Sequence, residues 1–175
     1  MSKAMGGKLR TQKIKELFGF QIRTSYAPHG KIDLAITEEG QVLGAALWMS
    51  PQGQRVSITS DLKHLGGYTK ALGSSVVSAA LTEYKLLAAR PKFPHWYLYA
   101  IGVDSAARSM GVGGALLDYR LKELGEYPAY LEASTFRNAS LYRRHGFVEL
   151  GPFASGKPAV GMWHPAPQSA IDNHL

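Results

Sequence analysis

Apolar positions fall into two periods along this chain. In Lys31–Thr37 (KIDLAIT), Ile32, Leu34 and Ile36 alternate with other residues, the period of a half-buried strand. Gln41–Met49 (QVLGAALWM) is a second such run. Glu38-Glu39-Gly40 makes a turn between them, so the pair predicts a hairpin that Ser50-Pro51-Gln52-Gly53 ends. From Ser60 to Arg90 the spacing becomes helical. Val76, Val77, Ala80, Tyr84, Leu87 and Ala88 fall near one face, with Gly66-Gly67 and Gly73 as breaks. Pro91 and Pro94 separate that segment from Trp96–Val103, an aromatic-rich apolar run that reads as a buried strand. The remainder predicts a helix from Gly111 to about Leu124, a strand at Ala129–Ala133 and a helix over about Asn138–His145. Strands at Phe147–Leu150 and Ala159–His164 follow.

Before Lys31 the pattern is weaker. Met1–Gly7 reads as a flexible start, and Lys13–Phe20 as a short helix or an extended segment. The stretch after Pro165 reads as an irregular tail. Alternating strands and helices predict a layered α/β domain, and 175 residues suit a single core. The expected division is an irregular or helical segment over 1–30, a domain over 31–165 and a tail over 166–175.

Composition narrows the chemistry. With no cysteine there is no disulfide, thiolate nucleophile or zinc–thiolate site. His95, His164 and His174 lack metal-site spacing, so no metal is expected. No stretch suits a membrane span or a secretory signal, which predicts a cytoplasmic protein without a membrane partner. Twenty Lys and Arg against 13 Asp and Glu give a formal charge of +7. They are spread along the chain, so the expectation is attraction to anions in general rather than to nucleic acid.

The strand at Trp96–Val103 runs into the polar loop Asp104–Met110 and then Gly111-Val112-Gly113-Gly114. The first N–H groups of a helix have no partner inside it and carry the positive end of its dipole, so a strand feeding a glycine-rich helix start can hold phosphate oxygens. Three glycine loops compete. No Lys-Ser or Lys-Thr follows, against a nucleoside triphosphate loop. The third glycine of a dinucleotide loop would fall at Leu116. Arg108-Ser109-Met110-Gly111-Val112-Gly113 fits the pattern Arg/Gln-x-x-Gly-x-Gly/Ala.

That last pattern resembles the acetyl-coenzyme A pyrophosphate site of the GNAT acetyltransferases. Tyr130-Leu131-Glu132-Ala133-Ser134 and then Asn138-x-x-x-Tyr142-x-x-x-Gly146-Phe147 look like the family's next strand and helix. Within the family the motifs are most similar to those of puromycin N-acetyltransferase-like members, over about Ala89–Leu150, with weaker matches at the hairpin and at Gly156-Lys157-Pro158. The resemblance implies a mixed, mostly antiparallel single-layer sheet flanked by helices, short at its N-terminus. It also implies acetyl-coenzyme A as donor, held by the backbone of Ile101, Gly102 and Val103 and by Arg108, Ser109, Met110, Gly111, Val112, Gly113 and Gly114. Tight helix–strand packing is the other reading of the glycines.

For catalysis the resemblance implies Tyr142 as acid towards the coenzyme sulfur and Glu132 as base or substrate-orienting carboxylate. From its place on the cofactor strand, Tyr99 is a further candidate in the same cleft. A tyrosine packed on the sheet, a hydrogen-bonded structural glutamate and a core aromatic are the plainer readings. Asn138 suits the pantetheine amide or a helix N-cap. Many members carry an asparagine seven residues before the tyrosine, where this chain has Thr135. With no cysteine, the amine is expected to attack the thioester directly in a ternary complex. The expected acceptor is a small-molecule amine. A protein N-terminus or lysine is the alternative, and a non-catalytic coenzyme A-binding domain is a reading from another class. Trp48, Trp96, Tyr97, Tyr99 and Trp163 suit an apolar acceptor or plain core packing. A short N-terminus leaves a sheet edge that a second copy could cover, so a homodimer is expected.

Overall fold

The structure is a computed structural model that describes residues 2–54, 90–152 and 160–167, with backbone alone for 2–10. The helix expected over Ser60–Arg90, the Gly156–Pro158 match and most of the tail lie outside them. Helix α1 (Ser2–Gln21) runs through a π-helical turn, Ile22–Tyr26, and a last turn, Ala27–His29. The N-terminal stretch is therefore one long helix rather than a flexible start with a short helix. It turns directly into strand β1 (Gly30–Ile36) at Gly30, where a Cβ would collide with the backbone oxygens of Trp48 and Tyr26.

Strand β2 (Val42–Met49) completes the hairpin, closed by Thr37 N–H donating to Gln41 O at 2.9 Å. Strand β3 (Trp96–Val103), helix α2 (Val112–Lys122), strand β4 (Ala129–Ala133), helix α3 (Phe136–Arg144) and strands β5 (Val148–Pro152) and β6 (Val160–His164) follow. The sheet order is β1-β2-β3-β4-β6-β5. Every pairing is antiparallel except β3 with β4. This is the expected mixed, mostly antiparallel sheet, and the strand bounds agree with the apolar periods to within two residues.

Strand alternation gives the sheet two unlike faces. Ala46, Trp48, Leu98, Leu131 and Met162 pack with Leu116 and Leu117 of α2 and Ala139 and Tyr142 of α3 in the larger core. The smaller core on the opposite face gathers Tyr26, Leu47, Met49, Tyr97 and Tyr130 under the end of the first helix. Towards β1 that second face opens, leaving Ile32, Leu34, Ile36 and Val42 exposed.

Two irregularities shape the middle of the sheet. Leu47 pairs with Ala100 but Trp48 pairs with Leu98, so Tyr99 is the extra residue of a bulge. Beside it, β3 and β4 pair only at Trp96–Ala129, Tyr97–Tyr130 and Leu98–Leu131. Beyond Leu98 the two strands diverge. Glu132 and Ala133 remain paired to β6 on their other side.

Candidate active site

The loop after β3 is built by local hydrogen bonds and two left-handed residues. Asp104 accepts from Ala106 N–H at 2.8 Å and caps the turn Ser105–Ala107. Ser109 has φ 66° and Gly111 φ 81°. A left-handed serine costs about 1–2 kcal/mol, and such strain concentrates where a loop is shaped for a ligand. Gly111 is the N-cap of α2, without a side-chain cap, so the N–H groups of Val112, Gly113 and Gly114 have no partner within the helix.

The glycines divide between two roles. A Cβ at Gly102 or Gly111 would meet nothing within 4 Å, so both positions border open space. A Cβ at Gly114 would press on the His145 ring at 3.0 Å, and one at Gly113 would touch Leu141 and Val103 at ordinary distance. Helix packing thus explains Gly114, while an open approach explains Gly102 and Gly111. His145 is itself fixed to α2 by Asp118, 2.6 Å from its Nδ1. Among the described residues, the β4-facing backbone of β3 beyond Leu98, at Ile101, Gly102 and Val103, has no strand partner.

Where β3 and β4 part, a cleft of about 170 Å³ is lined by Tyr99, Ile101, Glu132, Ser134, Asn138 and Tyr142, with Leu98, Ala100 and Leu131 behind them. Thr135, not Asn138, caps α3: its Oγ1 accepts from Asn138 N–H at 3.1 Å. The helix therefore begins two residues earlier than expected, at Phe136. Asn138 reaches back to Ser134 Oγ at 3.1 Å and faces the cleft. Four residues on, Tyr142 is buried on the same side of the helix. Burial pushes its phenol up to about 12. No hydrogen bond to that hydroxyl is seen among the described residues, so a protonated donor stands at the cleft wall.

Glu132 is engaged on both oxygens. Arg90 Nε donates to Oε1 at 2.8 Å, and Tyr97 OH donates to Oε2 at 2.5 Å. Arg90 Nη2 donates to Tyr97 OH at 2.8 Å and closes a ring of three side chains. The guanidinium carbon lies 3.9 Å from the Tyr97 ring centroid. Burial drives the Tyr130 phenol upwards and lowers the neighbouring His95, whose ring is 1% exposed and shares a 2.6 Å hydrogen bond with Phe93 O through Nδ1. Tyr99 turns away towards the first helix. Its hydroxyl donates to Gln21 Oε1 at 2.8 Å, and its ring stacks on Tyr26 at 4.9 Å.

The structure brings Glu132, Tyr99, Asn138 and Tyr142 to one cleft, with the Arg108–Gly114 loop at the end of the strand that lines it. Trp48 and Trp96 are core residues facing the helices, while Tyr97, Tyr99 and Trp163 lie on the opposite face. Sequence reasoning missed Arg90 and the Gln21–Tyr26 cover over Tyr99. Their contacts span 42 and 78 residues, and no local pattern announces them.

Residues 70–149 match the family model described as the acetyltransferase (GNAT) domain. A solved structure of histone acetyltransferase HPA2 and related acetyltransferase from Corynebacterium glutamicum is 38% identical, with TM-score 0.67. The alignment covers 90% of this chain and 76% of that one. The Drosophila melanogaster polyamine N acetyltransferase, said to catalyse formation of N acetylagmatine, is 19% identical with TM-score 0.51, covering 79% of this chain and 76% of its own. Another acetyltransferase structure is likewise 19% identical with TM-score 0.51, covering 82% and 76%. The last two share the fold.

Proposed function

The chain belongs to the GNAT acetyltransferase family, and from that premise we propose that it moves an acetyl group from acetyl-coenzyme A to the amine of a small molecule. The observation that carries this reading is the cleft between the diverging β3 and β4, with the Tyr142 hydroxyl in its wall and a helix start at its end.

The donor's pyrophosphate would meet the N–H groups of the Ser109–Gly114 loop and Arg108. Its pantetheine arm would run along Ile101, Gly102 and Val103, crossing the open space at Gly102, with Asn138 within reach of an amide. The amine nitrogen attacks the thioester carbonyl, and the tetrahedral adduct expels the thiolate as the C–S bond breaks. One ammonium proton leaves the nitrogen and one proton reaches the sulfur. Tyr142 is the donor to that sulfur. A phenol near 12 keeps its own proton in the resting enzyme and stabilises the thiolate first as a hydrogen-bond donor. Glu132 orients the amine and accepts its proton directly or through water, while Tyr99 lines the same cleft with its hydroxyl turned to Gln21. The motif resemblance to puromycin N-acetyltransferase-like members, carried by the sequence alone, favours a small-molecule acceptor over a protein one.

Thermal unfolding with acetyl-coenzyme A, followed by thiol release across a panel of amines, tests the reading. A rise in Tm and amine-dependent release are expected. Binding without release for any amine would favour the non-catalytic alternative, and no rise would remove the donor assignment.

A further inference from the structure

The two ends of the donor site stand on different helices, and one side chain ties them together. The N–H groups offered to pyrophosphate open α2, while Asn138 and Tyr142 reach the cleft from α3. His145 closes α3, and its N–H donates to Tyr142 O at 3.0 Å. The N–H of Phe147 donates to the same oxygen at 3.1 Å, and the Tyr142 ring meets the Phe147 ring edge-on at 5.9 Å. Tyr142 and His145 therefore belong to one fixed turn. From that turn the imidazole crosses to α2. Its Nδ1 shares a 2.6 Å hydrogen bond with Asp118 Oδ1. Its Nε2 and Cε1 lie 3.0 and 3.1 Å from where a Cβ on Gly114 would be. Gly114 and Asp118 are four residues apart and share a face of α2, so the ring is gripped at two points. One turn earlier on α3, Leu141 lies 3.6 Å from where a Cβ on Gly113 would be. Close-packed contacts of this kind set a separation and resist a change in it.

We propose that His145, braced by Asp118, is a positioning residue for the donor. It fixes the distance from the phosphate-facing start of α2 to the α3 side chains in the cleft, and so matches the site to a ligand whose pyrophosphate and pantetheine arm are covalently joined. A ligand with both ends gains from the second contact only when that distance fits its span, whereas the nucleotide end alone has no such requirement. This inference rests on the reading of the loop and cleft as a coenzyme A site.

Thermal shift gives Kd for coenzyme A and for 3′-phosphoadenosine 5′-diphosphate, its nucleotide end. His145→Ala should weaken coenzyme A about five-fold or more and leave the nucleotide within about two-fold. Asp118 is 58% exposed, so its replacement opens no core. Asp118→Ala should give the same split at about three-fold or more, and Asp118→Asn, which keeps an acceptor oxygen, should return coenzyme A to within about two-fold of wild type. A merely structural role would lower the Tm of the free protein and move neither Kd, which overturns the proposal. Equal weakening of both ligands, the sign of a direct phosphate contact, overturns it as well. So does wild-type protein that binds coenzyme A but not the nucleotide. Should His145→Ala give no unfolding transition, the two Asp118 variants decide. Failure of the underlying reading is distinguishable, because coenzyme A itself would then leave the wild-type Tm unmoved.

Discussion

Tyr142 shows how burial changes what a side chain can do. Its phenol lies near 12 because the ionised form is desolvated, whereas in an unfolded chain it would lie near 10. The folded state therefore holds its proton more tightly. The resulting stability is fully present below about pH 10 and is lost as pH rises towards 12. Loss of this proton should not limit turnover below pH 10, so the alkaline limb of a pH–rate profile should lack an inflection from Tyr142 there. Tyr142→Phe should lower kcat about 100-fold while leaving the Kd for acetyl-coenzyme A within a factor of three; equal rates would remove Tyr142 from the donor role. At this scale the sequence was legible wherever a motif spaced residues on one element, as with Asn138 and Tyr142 on α3. It was opaque where a side chain chose a distant partner. Glu132 was visible as a carboxylate in a strand, but its engagement by Arg90 and Tyr97 is a product of packing.

Among the elements, β3, β4 and α3 line the cleft, and α2 starts at the end of the loop that follows β3. Thr135 satisfies an N–H that the first turn of α3 would otherwise leave orphaned. Thr135→Ala should cost about 1 kcal/mol of stability, readable in denaturant unfolding, and Thr135→Ser should restore most of it. At α2, Gly113→Glu sets a carboxylate against Leu141 and Val103, beside the N–H groups that would hold pyrophosphate. It should abolish the acetyl-coenzyme A thermal shift, and an unchanged shift would sink the pyrophosphate assignment. Strand positions were readable because alternation is a local signal. The start of α3 was misplaced because Thr135 and Asn138 are both good capping residues and only one has its side chain under the first turn. The long N-terminal helix was hidden for a different reason. Residues 11–16 are exposed and show no apolar stripe, so the helix is fixed at its far end by the contacts of Phe18, Tyr26 and Gln21 with Tyr99.

For the whole molecule, one long-range tie stands out. Arg120 of α2 and Asp33 of β1 form a buried pair across 87 residues, with Arg120 Nε donating to Asp33 Oδ2 at 2.9 Å. Removing one partner strands a buried charge, so Arg120→Leu should cost about 3–5 kcal/mol. Arg120→Leu with Asp33→Leu should recover much of that loss in the same urea titration. Beside this tie, Leu34 and Ile36 are 55% and 60% exposed on a strand that ends the sheet among the described residues. If a second copy covers them, as the expected homodimer requires, sedimentation at micromolar concentration should give twice the mass, and Leu34→Lys with Ile36→Lys should halve it.

The three-residue junction of β3 and β4 has a mechanical meaning. It is the seam between two leaves, β1-β2-β3 and β4-β6-β5, and among the described residues those three registers are the whole of its strand-to-strand stitching. A ligand whose arm hydrogen-bonds to β3 while its thioester end lies under Tyr142 of the other leaf would lengthen that stitching, so the donor would act as a dowel between two boards. Amide exchange in Glu132 and Ala133 should then slow on adding acetyl-coenzyme A by more than exchange in the β1–β2 hairpin, which lies wholly within one leaf.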